Sequence, residues 1–173
     1  MSSFETNVDS WSTLFTVMGT SSVTLLGLLF VGISLRMDIR KQPESSYQKR
    51  MTSQNLTSFL TVFLMSIYFL IPDASAKGIA VSIIITTGLP LVGVLRTIPF
   101  YRRDLDVTHE LFIWYGVVQP ICYLATIVGA IALGTWEEDA LTAMVTVMLF
   151  LLIIPTQSAW QLVAAPEQQS SAD

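Results

Sequence analysis

Trp11 to Leu35 reads WSTLFTVMGTSSVTLLGLLFVGISL and contains no charged residue. A bilayer's hydrocarbon core is about 30 Å thick, and a helix rising about 1.5 Å per residue crosses it with about 20 apolar residues. The stretch supplies them and reads as a membrane span. Placed on a helix at about 100° per residue, Thr13, Thr16, Thr20, Thr24, Gly27, Val31 and Ser34 form one narrow stripe that runs on into Asp38. Trp11, Phe15, Met18, Leu25, Leu29 and Ile33 lie opposite. One face suits lipid, and the other suits protein or water.

Four more apolar stretches follow, at 54–71, 78–95, 111–134 and 140–162. Over the whole chain 52% of residues are apolar and 13% charged, where a soluble domain carries about 25% charged residues; mean hydropathy is +0.60. The expected fold is an all-α integral membrane protein. A single bundle of five transmembrane helices occupies 1–163, and a polar tail occupies 164–173. The first span does not read as a cleaved signal sequence, because Met1 to Ser10 carries Glu5 and Asp9 and no Lys or Arg. That decapeptide reads either as a disordered cap or as an interfacial helix. The single cysteine, Cys122, excludes an internal disulfide and a cysteine metal site.

Prolines and glycines punctuate the spans. Pro43 interrupts the first polar loop, and Pro72 with Asp73 closes the second span. Gly88, Pro90 and Gly93 predict a kink or local unwinding in the third. Gln119 and Pro120 fall inside the fourth, and Pro155 interrupts the fifth. Of the nine Lys and Arg residues only Lys77 lies outside the loops 36–50 and 96–110. The positive-inside rule then puts both loops in the cytoplasm, the N-terminus outside and the C-terminus inside. Trp11 and Trp136 anchor the outer interface in this orientation, and Trp160 the inner one.

Polar residues also align on the other spans: Gln54, Ser58, Thr61 and Tyr68; Ser82, Thr86, Pro90 and Gly93; Tyr115, Gln119, Tyr123 and Thr126; Thr142, Thr146 and Gln157. Small and hydroxylated side chains let membrane helices approach and bond across their contact, so each stripe is expected to face inward. The first span's stripe differs in covering the whole membrane depth. Five helices have no room for a wide aqueous path within one protomer, but copies of one helix meeting around a symmetry axis form one. Thr16, Thr20, Thr24 and Ser34 would then be polar rings, Val31 an apolar constriction that gates by dewetting, and Asp38 the inner mouth.

No Asp, Glu, Lys, Arg or His lies in the central part of any span. Proton-coupled transporters and voltage sensors need such residues there, and catalysis needs titratable groups converging in a pocket, so no enzyme is expected. No cofactor or metal motif occurs, nor a domain for nucleic acid. Two acidic clusters remain. Asp106, His109 and Glu110 share a helical turn and read as a hydrated helix start or as a cytoplasmic pH or divalent-cation sensor. Glu137, Glu138 and Asp139 complement the dipole of the fifth helix, or in an oligomer form an outer vestibule that concentrates cations.

Leu25 to Leu35, LLGLLFVGISL, with the basic residues after it, resembles the opening span of a loose group of small, poorly characterised bacterial membrane proteins. The resemblance implies a prokaryotic integral membrane protein and carries over no functional residue; the expected location is the bacterial inner membrane. The functional expectation is a homo-oligomeric pore or ion channel lined by the first helix, in contact with membrane lipids and a permeant ion. The alternatives are a non-conducting adaptor or regulatory subunit packed on a partner membrane protein, and a lipid- or small-molecule-binding protein using the gap around Pro90, Pro120 and Gln119.

Overall fold

The structure, a computed structural model, describes residues 3–39, 46–72, 74–103, 116–135 and 140–164. Five α-helices make up almost all of it: α1 (Ser3–Ile39), α2 (Ser46–Leu70), α3 (Ala76–Arg103), α4 (Gln119–Thr135) and α5 (Ala140–Ala164). Among the described residues there is no strand. The stretches long and apolar enough to cross a membrane are Ser10–Ser34, Met51–Leu70, Ala76–Arg96, Gly116–Thr135 and Ala140–Gln157. The outside of the bundle is apolar as well: Leu28, Phe30, Ile85, Leu89, Val128 and Ile131 are each more than half exposed. Lipid tails match such a surface, as expected of a multi-pass membrane protein.

At its 37 residues α1 is about 55 Å long, well beyond the hydrocarbon thickness. It takes in the N-terminal decapeptide from Ser3 onward as a direct helical extension of the span. Pro72 stands just past the end of α2, and Ser75 caps α3. The Ser75 hydroxyl accepts from the Gly78 N–H at 3.1 Å and its carbonyl from the Ile79 N–H at 3.0 Å, using donors that a helix start leaves free.

The expected unwinding at Gly88, Pro90 and Gly93 does not occur, since α3 is helical throughout Ala76–Arg103. Pro90 removes one N–H donor, that directed at the Thr86 carbonyl, and the neighbouring turns keep theirs. α5 likewise continues through the buried Pro155. The irregular turn lies elsewhere. Residues 116–118 form a π turn directly before α4, a widening that relieves the clash of the Pro120 ring with the carbonyl of the preceding turn.

Helices α2, α3, α4 and α5 pack in a closed ring, each on its two neighbours, and α1 lies outside it against α2 with a small contact on α5. Phe59, Val62 and Met65 of α2, Ile83 of α3, and Met144, Met148 and Leu151 of α5 fill the ring and are fully buried. α1 is held by shape. Phe15 stacks on Phe69 with ring centroids 4.5 Å apart and planes 8° from parallel, Gly19 lies on Ser66, and the Ser22 hydroxyl donates to the Phe59 carbonyl.

Candidate functional site

The seven stripe residues of α1 point away from the bundle. Thr13, Thr16, Thr20, Thr24, Gly27, Val31 and Ser34 are all exposed, while Phe15, Met18, Gly19, Ser22 and Leu29 are buried. Within the protomer this reverses the expectation that the apolar face meets lipid: the apolar face packs on the bundle, and the hydroxyl face is the one left over. Four of its hydroxyls bond back to their own helix. Thr16 donates to the Ser12 carbonyl at 2.9 Å, Thr20 to Thr16 at 2.8 Å, Thr24 to Thr20 at 2.9 Å and Ser34 to Phe30 at 2.9 Å. A hydroxyl has one proton to give and two lone pairs. With the proton committed to the backbone, what these side chains offer outward is acceptor oxygen, repeated about every 6 Å from Thr16 to Thr24.

Beside this face α1 and α2 enclose an open groove of about 340 Å³, lined by Thr16, Thr20 and Thr24 on one wall and by Phe63, Ile67 and Leu70 on the other. Asp38 falls in the last turn of α1, and its side chain lies outside the described residues. So do Asp106, His109 and Glu110, and Glu137, Glu138 and Asp139.

A second polar assembly lies inside the ring. Ser58 of α2, fully buried, donates to the Gln54 carbonyl of its own helix at 3.1 Å and shares a hydrogen bond with the Tyr123 hydroxyl of α4 at 2.9 Å. Gln119 Nε2, one turn before Tyr123, donates to the Ser58 hydroxyl at 2.8 Å. Gln119 and Tyr123 are themselves 1% and 0% exposed. The amide oxygen of Gln119 has no hydrogen-bond partner within the protein. The Thr87 hydroxyl on α3 is also buried and unpartnered. Toward the boundary with α3, Tyr68 and Thr86 share a 2.9 Å hydrogen bond.

Tyr123 also forms part of the wall of a cavity of about 450 Å³, whose other sides are Ser53, Gln54 and Thr57 of α2 and Leu89, Pro90, Gly93 and Val94 of α3. The sequence-derived gap around Pro90 is therefore present. Gln119 adjoins it through the Ser58–Tyr123 bond, whereas Pro120 does not line it.

The inward expectation holds for α2 and α4, where Gln54, Ser58, Thr61, Gln119, Tyr123 and Thr126 are buried. It fails for α5, whose Thr142, Thr146 and Gln157 are exposed while Leu141, Met144, Met148 and Leu151 form the contact face. In α3 the inward line is Ala76, Ala80, Ile83, Thr87, Leu91 and Val94, one residue away from the polar stripe. In α3 Thr86 of that stripe bonds across to Tyr68 of α2, whereas in α5 the cause lies within the helix itself. In lipid the polar side of a helix has no reason of solvation to turn inward once its hydroxyls bond to their own backbone, as Thr146 does to Thr142 at 2.9 Å. Sequence reasoning missed Ser22, the hydroxyl that does join α1 to the ring. Its signal was its register, i+4 from Met18 and i+7 from Phe15 on the apolar face.

Comparison of the chain with known protein families, with curated sequences and with solved structures finds no match to any of them.

Proposed function

We propose that this chain is the subunit of a homo-oligomeric pore in a bacterial inner membrane, with the N-terminus outside, the C-terminus in the cytoplasm, and the outward face of α1 turned to the symmetry axis. The observation that carries this reading is the exposure of Thr13, Thr16, Thr20, Thr24 and Ser34 on the one helix that stands outside the ring. The bundle closes without them, so packing within the protomer does not account for a hydroxyl row that spans the membrane. Brought together around an axis, the back-bonded threonines present rings of acceptor oxygen, which solvate a cation and repel an anion. Val31, 56% exposed, supplies an apolar ring below them that closes the path when it dewets. Glu137, Glu138 and Asp139 would supply the cation-concentrating outer mouth, and Asp38 the inner one.

A second reading rests on the same hydrogen bonds. Because the hydroxyls of α1 need no water as acceptor for their protons, and Val17 and Leu28 flank them, the face also fits against a helix of a partner membrane protein, as in a non-conducting adaptor. Cysteine accessibility separates the two. In a Cys122→Ala background, single cysteines replace Thr20, Thr24 and, as a control on the flank, Leu28, and the purified chain is recorded in planar bilayers with a charged, membrane-impermeant thiol reagent. A pore gives discrete currents that the reagent alters at Thr20→Cys and Thr24→Cys and leaves unchanged at Leu28→Cys. An intact oligomer that conducts under no voltage, and whose cysteines do not react, sinks the pore and favours the adaptor.

A further inference from the structure

The cavity between α2, α3 and α4 lies toward one end of the candidate spans. Ser53 is two residues inside the α2 span that begins at Met51, and Gly93 is three residues before Arg96, where the α3 span ends. α2 and α3 are antiparallel neighbours, so both markers belong to the same end of the bundle. Just beyond that end a bilayer presents phosphates and glycerol esters, in a layer about 5–7 Å thick on each side of the hydrocarbon.

The cavity's chemistry fits that layer. Gln54, 8% exposed, and Tyr123, 0% exposed, are set into its wall. The Tyr123 hydroxyl is fixed by Ser58, and one bond further in is Gln119, whose amide oxygen is buried without a partner. Pro90 gives the α3 wall no N–H. A Cβ on Gly93 would meet nothing within 4 Å, so this glycine keeps the volume open to the side. Leu89, 76% exposed, borders the opening on the lipid-facing surface. Entry is therefore lateral, from the bilayer. Charge selects the entrant: Arg96 is exposed one turn beyond Gly93 on α3, and among the described residues no carboxylate lines the cavity.

We infer that this crevice binds one anionic phospholipid, its phosphate at Arg96, its glycerol ester region against Gln54 and Tyr123, and the upper part of an acyl chain along Leu89, Pro90 and Gly93. The volume of about 450 Å³ is within the range of about 300–1,000 Å³ usual for ligand sites.

The test is native mass spectrometry of the full chain, released from nanodiscs holding equal amounts of phosphatidylglycerol and phosphatidylcholine with the same acyl chains. The wild-type protein is expected to retain one phosphatidylglycerol per protomer in preference to phosphatidylcholine. Arg96→Gln should reduce that preference about fivefold, the effect of one surface cation on an anionic lipid. Gly93→Leu, which fills the cavity from an exposed helical position, should abolish the retained lipid without loss of helical circular dichroism. Equal retention of the two lipids by the wild-type protein, or unchanged phosphatidylglycerol on a folded Gly93→Leu chain, overturns the inference. Arg96→Gln changes an exposed side chain only, so an unaltered preference in that variant overturns it even where Gly93→Leu fails to fold.

Discussion

Gly19 of α1 and Ser66 of α2 meet so closely that a Cβ on Gly19 would stand 3.1 Å from the Ser66 Cβ. Ser66 cannot move aside easily, since its hydroxyl is tied to the Val62 carbonyl at 2.9 Å and its Cβ is rooted in the α2 backbone. Gly19→Val should therefore cost on the order of 1–3 kcal/mol, the usual effect of overpacking. Gly19→Ala combined with Ser66→Gly should restore most of the loss suffered by Gly19→Ala alone. Thermal midpoints in detergent measure both. A Gly19→Val protein that melts with the wild type shows that α1 does not seat on α2 at this point.

Ser22 and Thr24 are two positions apart and chemically alike, yet they should respond oppositely to loss of the hydroxyl. Ser22 is fully buried and its hydroxyl joins α1 to the Phe59 carbonyl, whereas Thr24 is exposed and bonds within its own helix. Ser22→Ala should destabilise the protomer by about 0.6–2 kcal/mol, the span measured for hydrogen bonds between membrane helices. Thr24→Val should change it by less than about 0.5 kcal/mol, as expected at a surface position. Steric-trapping or denaturation equilibria compare the two, and equal effects would contradict the orientation of α1.

The Ser58, Tyr123 and Gln119 network makes a less intuitive prediction. Tyr123→Phe deletes a hydroxyl that Ser58 bonds at 2.9 Å, with an expected loss of about 0.6–2 kcal/mol. Gln119→Met removes one hydrogen bond to Ser58, but it also removes the buried amide oxygen that has no partner in the protein. Relief of an unsatisfied polar atom offsets the lost bond, and Ser58 keeps the Gln54 carbonyl. The methionine variant should be the more stable of the two in the same melting assay. The reverse order would mean that the Gln119 oxygen is satisfied in the membrane by a bound molecule.

These contrasts bear on what the sequence can reveal. The five spans were legible because an uncharged run such as Trp11–Leu35 has few alternatives to crossing a bilayer. The direction each helix faces was legible only where bulky polar groups must find partners, as Gln54, Gln119 and Tyr123 do. It was illegible for threonines, because Thr20 and Thr146 satisfy themselves on the preceding turn and are equally at home inside or outside. Shape decided those helices, through Phe15 on Phe69 and Gly19 on Ser66. Neither pair is marked in the sequence by polarity. The cavity beside Pro90 was partly legible, because a proline and two glycines in one span leave unfilled space. That the space would be walled by Tyr123 as well as by Gln54 depends on the pairing of α2, α3 and α4, which no single span encodes.

Gly27 provides the sharpest test of what the outer face of α1 is for. It lies two turns beyond Gly19 on the same helix, yet a Cβ there would meet nothing within 4 Å, so nothing inside the protomer requires a glycine. Within the protomer Gly27→Ala should be neutral to stabilising, by up to about 1 kcal/mol from helix propensity. Between protomers the opposite holds, because small residues are what allow membrane helices to approach closely. If α1 lines the axis of an oligomer, Gly27→Leu should lower the oligomeric mass or the conductance while the melting midpoint of the chain stays level or rises. A variant with raised stability and an unaltered assembly would mean that this face meets lipid alone, and the pore would have to be abandoned.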